Sequence, residues 1–73
     1  MKASDLLALL KGIGYEVDKQ SGSHKKLKCD GRPTLTFSFH DGQEIAPGLV
    51  RKILLKDVQL KADEANRLLG LKG

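Results

Sequence analysis

Residues 23–39, SHKKLKCDGRPTLTFSF, decide the fold of this chain, because they predict two β-strands joined by a tight turn. Residues 34–39 alternate between polar and apolar side chains, and successive side chains of a strand point to opposite faces. The apolar set, which we expect in the core, is Leu35, Phe37 and Phe39. The outward set is Thr34, Thr36, Ser38 and His40. Between the strands, Asp30-Gly31-Arg32-Pro33 is typical of a hairpin turn.

The preceding strand, residues 23–29, also separates its side chains into two faces. One face holds His24, Lys26 and Lys28, and the other holds Lys25, Leu27 and Cys29. Residues opposite each other on antiparallel strands share a face, so Leu27 must oppose an apolar residue. If that residue is Phe37, His24 lies opposite His40, and if it is Leu35, His24 lies opposite Ser38. Either register predicts that the two histidines are close, since direct partners have Cβ atoms about 5 Å apart and diagonal ones about 7–8 Å.

A helix and a strand precede the hairpin. Residues 4–12 are predicted to be an amphipathic helix, with Ser4 as its N-cap and Gly12 and Gly14 ending it. Its apolar positions at helical spacing are Leu6, Leu9, Leu10 and Ile13. Residues 15–19 alternate apolar and charged side chains, which predicts a half-buried strand, and residues 20–23 predict a turn.

Two helices follow the hairpin. Pro47 suits the first position of a helix, and Arg51, Lys52 and Lys56 lie outside its apolar stripe. That stripe is Leu49, Val50, Ile53 and Leu54. A last short helix is predicted near residues 63–69, closed by Gly70. The predicted class is α+β: a helix, a three-stranded antiparallel sheet and two helices, in a single domain spanning residues 1–73.

Length and composition exclude several classes of protein. A chain of 73 residues buries only about 60% of its unfolded surface, so the core is small and a large catalytic cleft is not expected. No apolar run is long enough to cross a bilayer, and the first residues lack a signal-peptide pattern, so we expect a cytoplasmic protein. One cysteine and two histidines are too few for a disulfide or a structural zinc site. We therefore expect no metal and no other cofactor.

The positive charge is concentrated around His24. Residues 19–32 hold five basic residues against Asp30 alone, which accounts for the whole net charge of +4. A localised cationic surface is typical of proteins that bind phosphate-bearing partners. Lysines on a strand more often serve only to keep an exposed face solvated, so the charge pattern by itself leaves both interpretations open.

The motif Gly22-Ser23-His24, together with the later His40 and the stretch GLVRKIL at residues 48–54, resembles the HicA family of toxin ribonucleases over almost the whole chain. The resemblance implies a fold similar to the double-stranded-RNA-binding domain, cleavage of messenger RNA, and inhibition by a cognate HicB antitoxin. The family's catalytic histidine maps onto His24. The segment from Lys28 to Arg32 is short, so contacts that the family makes from a longer hairpin are not expected here.

The residues around the motif suit RNA cleavage. Imidazole exchanges protons near neutral pH, as activation of the 2′-hydroxyl and protonation of the leaving 5′-oxygen require. Lysine ammonium groups stabilise the charge that grows on the phosphate. We therefore predict His24 as the catalytic residue, and as RNA-binding residues Ser23, Lys25, Lys26, Lys28, Arg32 and His40.

Two other functions are compatible with the sequence. One is an RNA-binding module that clamps a duplex without cutting it, since double-stranded-RNA-binding domains also carry a loop histidine and add lysines at a helix start. Here the helix start reads Ala46-Pro47-Gly48-Leu49, without a lysine cluster, which favours the nuclease. The other is a degenerate family member that only pairs with its partner protein.

Overall fold

A computed structural model describes residues 1–70, and its elements follow the predicted order. They are α1 (Ala3–Gly12), β1 (Glu16–Ser21), β2 (His24–Cys29), β3 (Arg32–Phe37), α2 (Pro47–Lys52), a π-helical turn (Ile53–Asp57) and α3 (Ala62–Leu68). The three strands form one antiparallel sheet in the order β1-β2-β3. The predicted α+β class is confirmed.

The β2–β3 ladder adopts the register in which Leu27 pairs with Leu35, and Lys25 with Phe37. Leu27, Leu35 and Phe37 are all buried, so this register places three apolar side chains on the helix-covered face of the sheet. Continued by one residue, the ladder places His24 opposite Ser38 rather than His40. The second of the two predicted registers is therefore the one that forms.

Strand β3 begins and ends two residues earlier than predicted, at Arg32 and Phe37 rather than at residues 34 and 39. The prediction assigned Pro33 to the turn because Asp30-Gly31-Arg32-Pro33 is typical of a hairpin turn. β3 is an edge strand, where proline is tolerated. The turn shrinks to Asp30 and Gly31, and Phe39 packs beyond the strand with its ring edge-on to Phe37, 5.2 Å between centroids.

The β1–β2 ladder contains a bulge. Val17 pairs with Leu27, but the next pair is Lys19 with Lys26, so Asp18 is the extra residue on β1. Regular alternation would place Lys19 on the same face as Val17 and Leu27. The bulge instead turns Lys19 to the opposite face, alongside Lys26.

The core lies between the helices and one face of the sheet. Its largest fully buried side chains are Tyr15, Leu6, Leu10, Leu27, Ile45, Leu54, Val50 and Val58. In α1 the buried stripe includes Leu7, which was not predicted, while Leu9 and Ile13 are only half-buried. The prediction that Leu49 belongs to the core was wrong, since its side chain is 39% exposed. At about 100° per residue, Leu49 lies about 90° around α2 from the centre of the buried stripe.

The start of α1 is held by a distant segment rather than by Ser4, which was wrongly predicted as the N-cap. The helix begins at Ala3, and its first backbone N–H groups donate to carbonyl oxygens: Ala3 to Gln43 at 2.8 Å and Ser4 to Asp41 at 3.1 Å. The Met1 ammonium pairs with the Glu44 carboxylate, which lowers the pKa of that carboxyl. Residues 41–45 therefore take the place of a side-chain cap.

In the part of the chain that the structure describes, no helix is both long enough and apolar enough to cross a membrane.

Candidate functional site

The sheet face opposite the helices is uncovered, and we call it the open face. Lys26 and Lys28 of β2 are exposed on it, whereas Leu27 between them is buried on the other side. The predicted separation of β2 into a basic face and a core face is thus confirmed. The open face comprises Glu16, Lys19, Ser21, His24, Lys26, Lys28, Thr34 and Thr36.

A tight turn positions His24 as the first residue of β2. β1 ends at Ser21, which pairs with His24, so the loop contains only Gly22 and Ser23. Gly22 has a φ of +60°, and Ser23 is not among the residues with positive φ. Glycine at the first of two loop positions fits a type II′ hairpin, whose twist matches that of the strands. The Gly22-Ser23-His24 motif is therefore the turn that places an exposed imidazole at the end of the sheet.

A groove runs past His24 across the open face. The residues that line it are Lys19, Gln20, Ser21, His24, Lys25, Lys26 and Thr36. Within residues 1–70, neither Lys19 nor Lys26 forms an ion pair. The groove thus combines an imidazole, two uncompensated ammonium groups and hydroxyl groups, which suits a phosphodiester.

Lys28 lies on the open face but is partly neutralised. Its Nζ is 3.5 Å from a carboxylate oxygen of Asp18, the bulged residue of β1, and Glu16 is its cross-strand partner. Its side chain is 57% exposed, so the ion pair leaves the ammonium accessible to water. Among the predicted RNA-binding lysines, Lys28 therefore presents less net positive charge than Lys26.

Lys25 belongs to the other face. Its side chain is 13% exposed, its Nζ lies 3.7 Å from Asp41 Oδ1, and it is 5.9 Å from the centre of the Phe37 ring. An ion pair and an aromatic face therefore share this ammonium group. Lys25 borders the groove together with His24 and Lys26, but its ammonium group lies next to Asp41 and the Phe37 ring.

Arg32 and His40 are not among the residues that line the groove. Arg32 pairs with Cys29 and borders a separate depression next to α3, with Leu60 and Arg67 among its lining residues. His40 is exposed in the loop after β3, where its N–H donates to Gln43 Oε1 and its carbonyl accepts from the Gln43 N–H. The prediction that the two histidines are close assumed a strand that continues to residue 40. That assumption was wrong, because β3 ends at Phe37 and His40 is not part of the ladder.

Four residues that line the groove were not among the predicted site residues: Lys19, Gln20, Ser21 and Thr36. The charged one is Lys19, which the sequence placed in the basic segment but not on the face of His24. After Val17 the strand reads Asp18-Lys19-Gln20-Ser21, which has no apolar residue to fix the phase of alternation. No sequence signal therefore marks the bulge at Asp18. Ser23, the remaining predicted residue, is half-buried in the turn beside His24.

The other reactive side chains do not form a second site in the described part of the chain. Cys29 is half-buried, with its sulfur 3.8 Å from the Ile13 carbonyl oxygen. Among residues 1–70 there is no group of three or more histidine, cysteine, aspartate or glutamate side chains that could hold a metal ion.

Comparison with known proteins gives matches that include the whole open face. A model of the family described as "HicA toxin of bacterial toxin-antitoxin" matches residues 3–60, which contain α1, the sheet, α2 and the π-helical turn. A protein named "Probable mRNA interferase HicA" from Pseudomonas fluorescens (strain Pf0-1) is 38% identical over 61 residues, covering 84% of this chain and 98% of that protein. No solved structure gives a significant match.

Proposed function

The chain belongs to the HicA family of bacterial toxin–antitoxin toxins, as its sequence resemblance predicted, and we propose that it is an endoribonuclease with His24 as general acid or base. The observation that supports this proposal most strongly is the groove on the open face, in which His24 lies with Lys26. The family relative carries the name mRNA interferase, which supports messenger RNA as the substrate class. The groove is open, so an extended strand has access to it.

His24 would act on the two protons of RNA cleavage. The attacking 2′-hydroxyl must lose a proton and the leaving 5′-oxygen must gain one, and imidazole performs either transfer near neutral pH. His24 is exposed at the end of β2, so the phosphodiester approaches it without displacing protein. A two-residue turn places its backbone at the start of β2, which favours a defined position relative to the bound phosphate.

Lysine ammonium groups would stabilise the transition state. The phosphorus centre gains negative charge on its non-bridging oxygens during attack, and a preorganised cation lowers the energy of that state more than of the substrate. Lys26 lies two residues from His24 on the same face of β2. We propose that the reaction is independent of metal ions, because imidazole transfers the protons and these cations supply the charge.

A non-catalytic RNA-binding module is the second candidate. One observation favours it: besides His24, the residues within 1–70 that line the groove include no carboxylate and no second imidazole. Cleavage of RNA commonly uses one group as general acid and another as general base. His24 would therefore take one of these roles, and a lysine, a hydroxyl group or water would take the other. Activity measurements separate binding from cutting directly.

The decisive experiment compares the two histidines. The wild-type protein is incubated with an end-labelled single-stranded RNA in EDTA, and we expect cleavage. His24→Ala should bind the same RNA with similar affinity but cleave it about 10²- to 10⁴-fold more slowly, the usual effect of one proton-transfer group. His40→Ala removes the other histidine, which lies outside the groove, and should retain at least ten times the rate of His24→Ala. Equal cleavage by wild type and His24→Ala would refute the catalytic assignment.

We also propose that a cognate HicB-like antitoxin covers the open face. An inhibitor that prevents RNA binding must occupy the groove or the approach to it, and the uncompensated Lys19 and Lys26 favour an acidic surface on the partner. The alternative is an antitoxin bound to the helical side, where the exposed Leu49 lies. The two modes differ in whether RNA and antitoxin compete.

A further inference from the structure

The bulge at Asp18 places two lysines directly opposite each other. Lys19 and Lys26 are Cα partners in the β1–β2 ladder, on the open face. Direct cross-strand partners have Cβ atoms about 5 Å apart, and like charges at such positions are destabilising. The fold therefore keeps two lysines opposite each other at a cost in stability.

Lys28, the next lysine on the same face, has acidic neighbours. Lys28 lies opposite Glu16 and forms an ion pair with Asp18, so acidic side chains surround it. Within residues 1–70, no acidic side chain forms an ion pair with Lys19 or Lys26. The acidic residues of β1 thus neutralise the position farther from His24 and leave the nearer pair of cations uncompensated.

His24 lies two residues along β2 from Lys26, and Ser21 lies two residues along β1 from Lys19. At about 3.3 Å per residue, two residues span about 7 Å on one face of a strand. Long lysine side chains and an imidazole separated by that distance reach a common phosphodiester. All four residues line the same groove.

We propose that Lys19 and Lys26 together bind one backbone phosphate of the RNA beside His24, which makes Lys19 a substrate-binding residue. This inference rests on the proposed function, because it assigns a role in the same groove. A phosphate between two ammonium groups removes their mutual repulsion, so the pair becomes favourable only when substrate is bound. The bulge thus contributes to substrate binding, since it moves a lysine from the core side of the sheet to the substrate side.

An exchange of two adjacent residues tests the inference. The double variant K19Q/Q20K keeps composition and net charge, but moves the lysine to a position that pairs with Lys25. The probe is a fluorescent single-stranded RNA with 2′-O-methyl groups throughout, which lacks the attacking hydroxyl and stays intact. A contact with single-stranded RNA contributes about 0.7 to the slope of log K against log salt, which corresponds to about a fivefold loss of affinity at 0.1 M salt.

Three further variants accompany the exchange. Lys19→Gln should show the same loss of slope and affinity as K19Q/Q20K, and Lys19→Arg, which keeps a cation at this position, should bind like wild type. Lys11→Gln removes one charge from the exposed side of α1 and should leave the salt slope unchanged. Thermal melting of each variant checks that it is folded, and Lys19→Gln provides the measurement if K19Q/Q20K does not fold.

The outcomes separate the inference from the proposed function. If Lys19→Gln changes the salt slope no more than Lys11→Gln does, Lys19 does not bind a phosphate and the inference is wrong. In that case, cleavage by wild type and its loss in His24→Ala still support the proposed function. If wild type neither binds nor cleaves RNA, the proposed function fails and the inference fails with it.

Discussion

Replacement of Tyr15 by Phe tests whether Tyr15, which lies between α1 and β1, ties the helix to the sheet. The Tyr15 ring is 2% exposed, and its hydroxyl donates a hydrogen bond to the Pro33 carbonyl oxygen at 2.7 Å. This bond joins the segment before β1 to the edge strand β3. Tyr15→Phe removes the bond and leaves the Pro33 carbonyl without this donor, while the ring remains in place.

The expected loss of stability is about 1 kcal/mol. Deletion of a typical protein hydrogen bond costs about 0.5–1.5 kcal/mol net, and a buried acceptor without a partner raises the cost toward the upper limit. For a domain of this size, 1 kcal/mol corresponds to a decrease in Tm of about 4–8 °C. Urea denaturation at pH 7, followed by circular dichroism, measures the difference in free energy of unfolding between the two proteins.

The same variant carries a pH signature. Burial raises the pKa of the Tyr15 phenol, so the folded state holds its proton more tightly than the unfolded state does. The resulting contribution to stability is complete below the unfolded pKa of about 10 and is lost as the pH rises through the folded pKa. Tyr15→Phe lacks this term, so its difference from wild type should be smaller at pH 11 than at pH 7. A difference that is independent of pH would refute the reasoning.

Three shorter predictions concern the groove and its partners. Gly22→Ala should lower the free energy of unfolding by about 1–2 kcal/mol, because a Cβ is disfavoured at φ +60° even though the space around it is open. The control Gly42→Ala, also in open space but without positive φ, should change the free energy of unfolding by less than about 0.5 kcal/mol. Equal effects of the two substitutions would contradict the turn assignment. Lys26→Gln should reduce the salt slope of RNA binding by about 0.7. Lys28→Gln should reduce the slope by less, because Asp18 already pairs with Lys28. If neither variant changes the slope, neither lysine contacts RNA. On addition of the cognate antitoxin, hydrogen exchange should slow at the amides of residues 23–28, and RNA should be released. If protection is confined to residues 49–70 and RNA stays bound, the antitoxin binds the helical side instead.

The order of helices and strands and the two faces of β2 could be predicted because they depend on local patterns. Alternation in residues 34–39 and helical spacing in α1 and α2 place Leu35, Phe37, Leu10 and Val50 in the core whatever the rest of the chain does. The position of His24 after a glycine turn is also local. The sequence by itself therefore determined the α+β architecture, the exposed histidine and the basic face around it.

The tertiary structure decided between arrangements that the local sequence patterns do not distinguish. Leu27 has an apolar partner in either register, and packing against the helices selects Leu35. The phase of β1 after Val17 has no apolar residue to fix it, so the bulge that turns Lys19 toward His24 depends on pairing with β2. The N-terminus of α1 finds its hydrogen-bond acceptors about 40 residues away, in residues 41–43. Each of these choices rests on contacts between residues distant in sequence, which is why only the folded chain reveals the groove with its two opposed lysines.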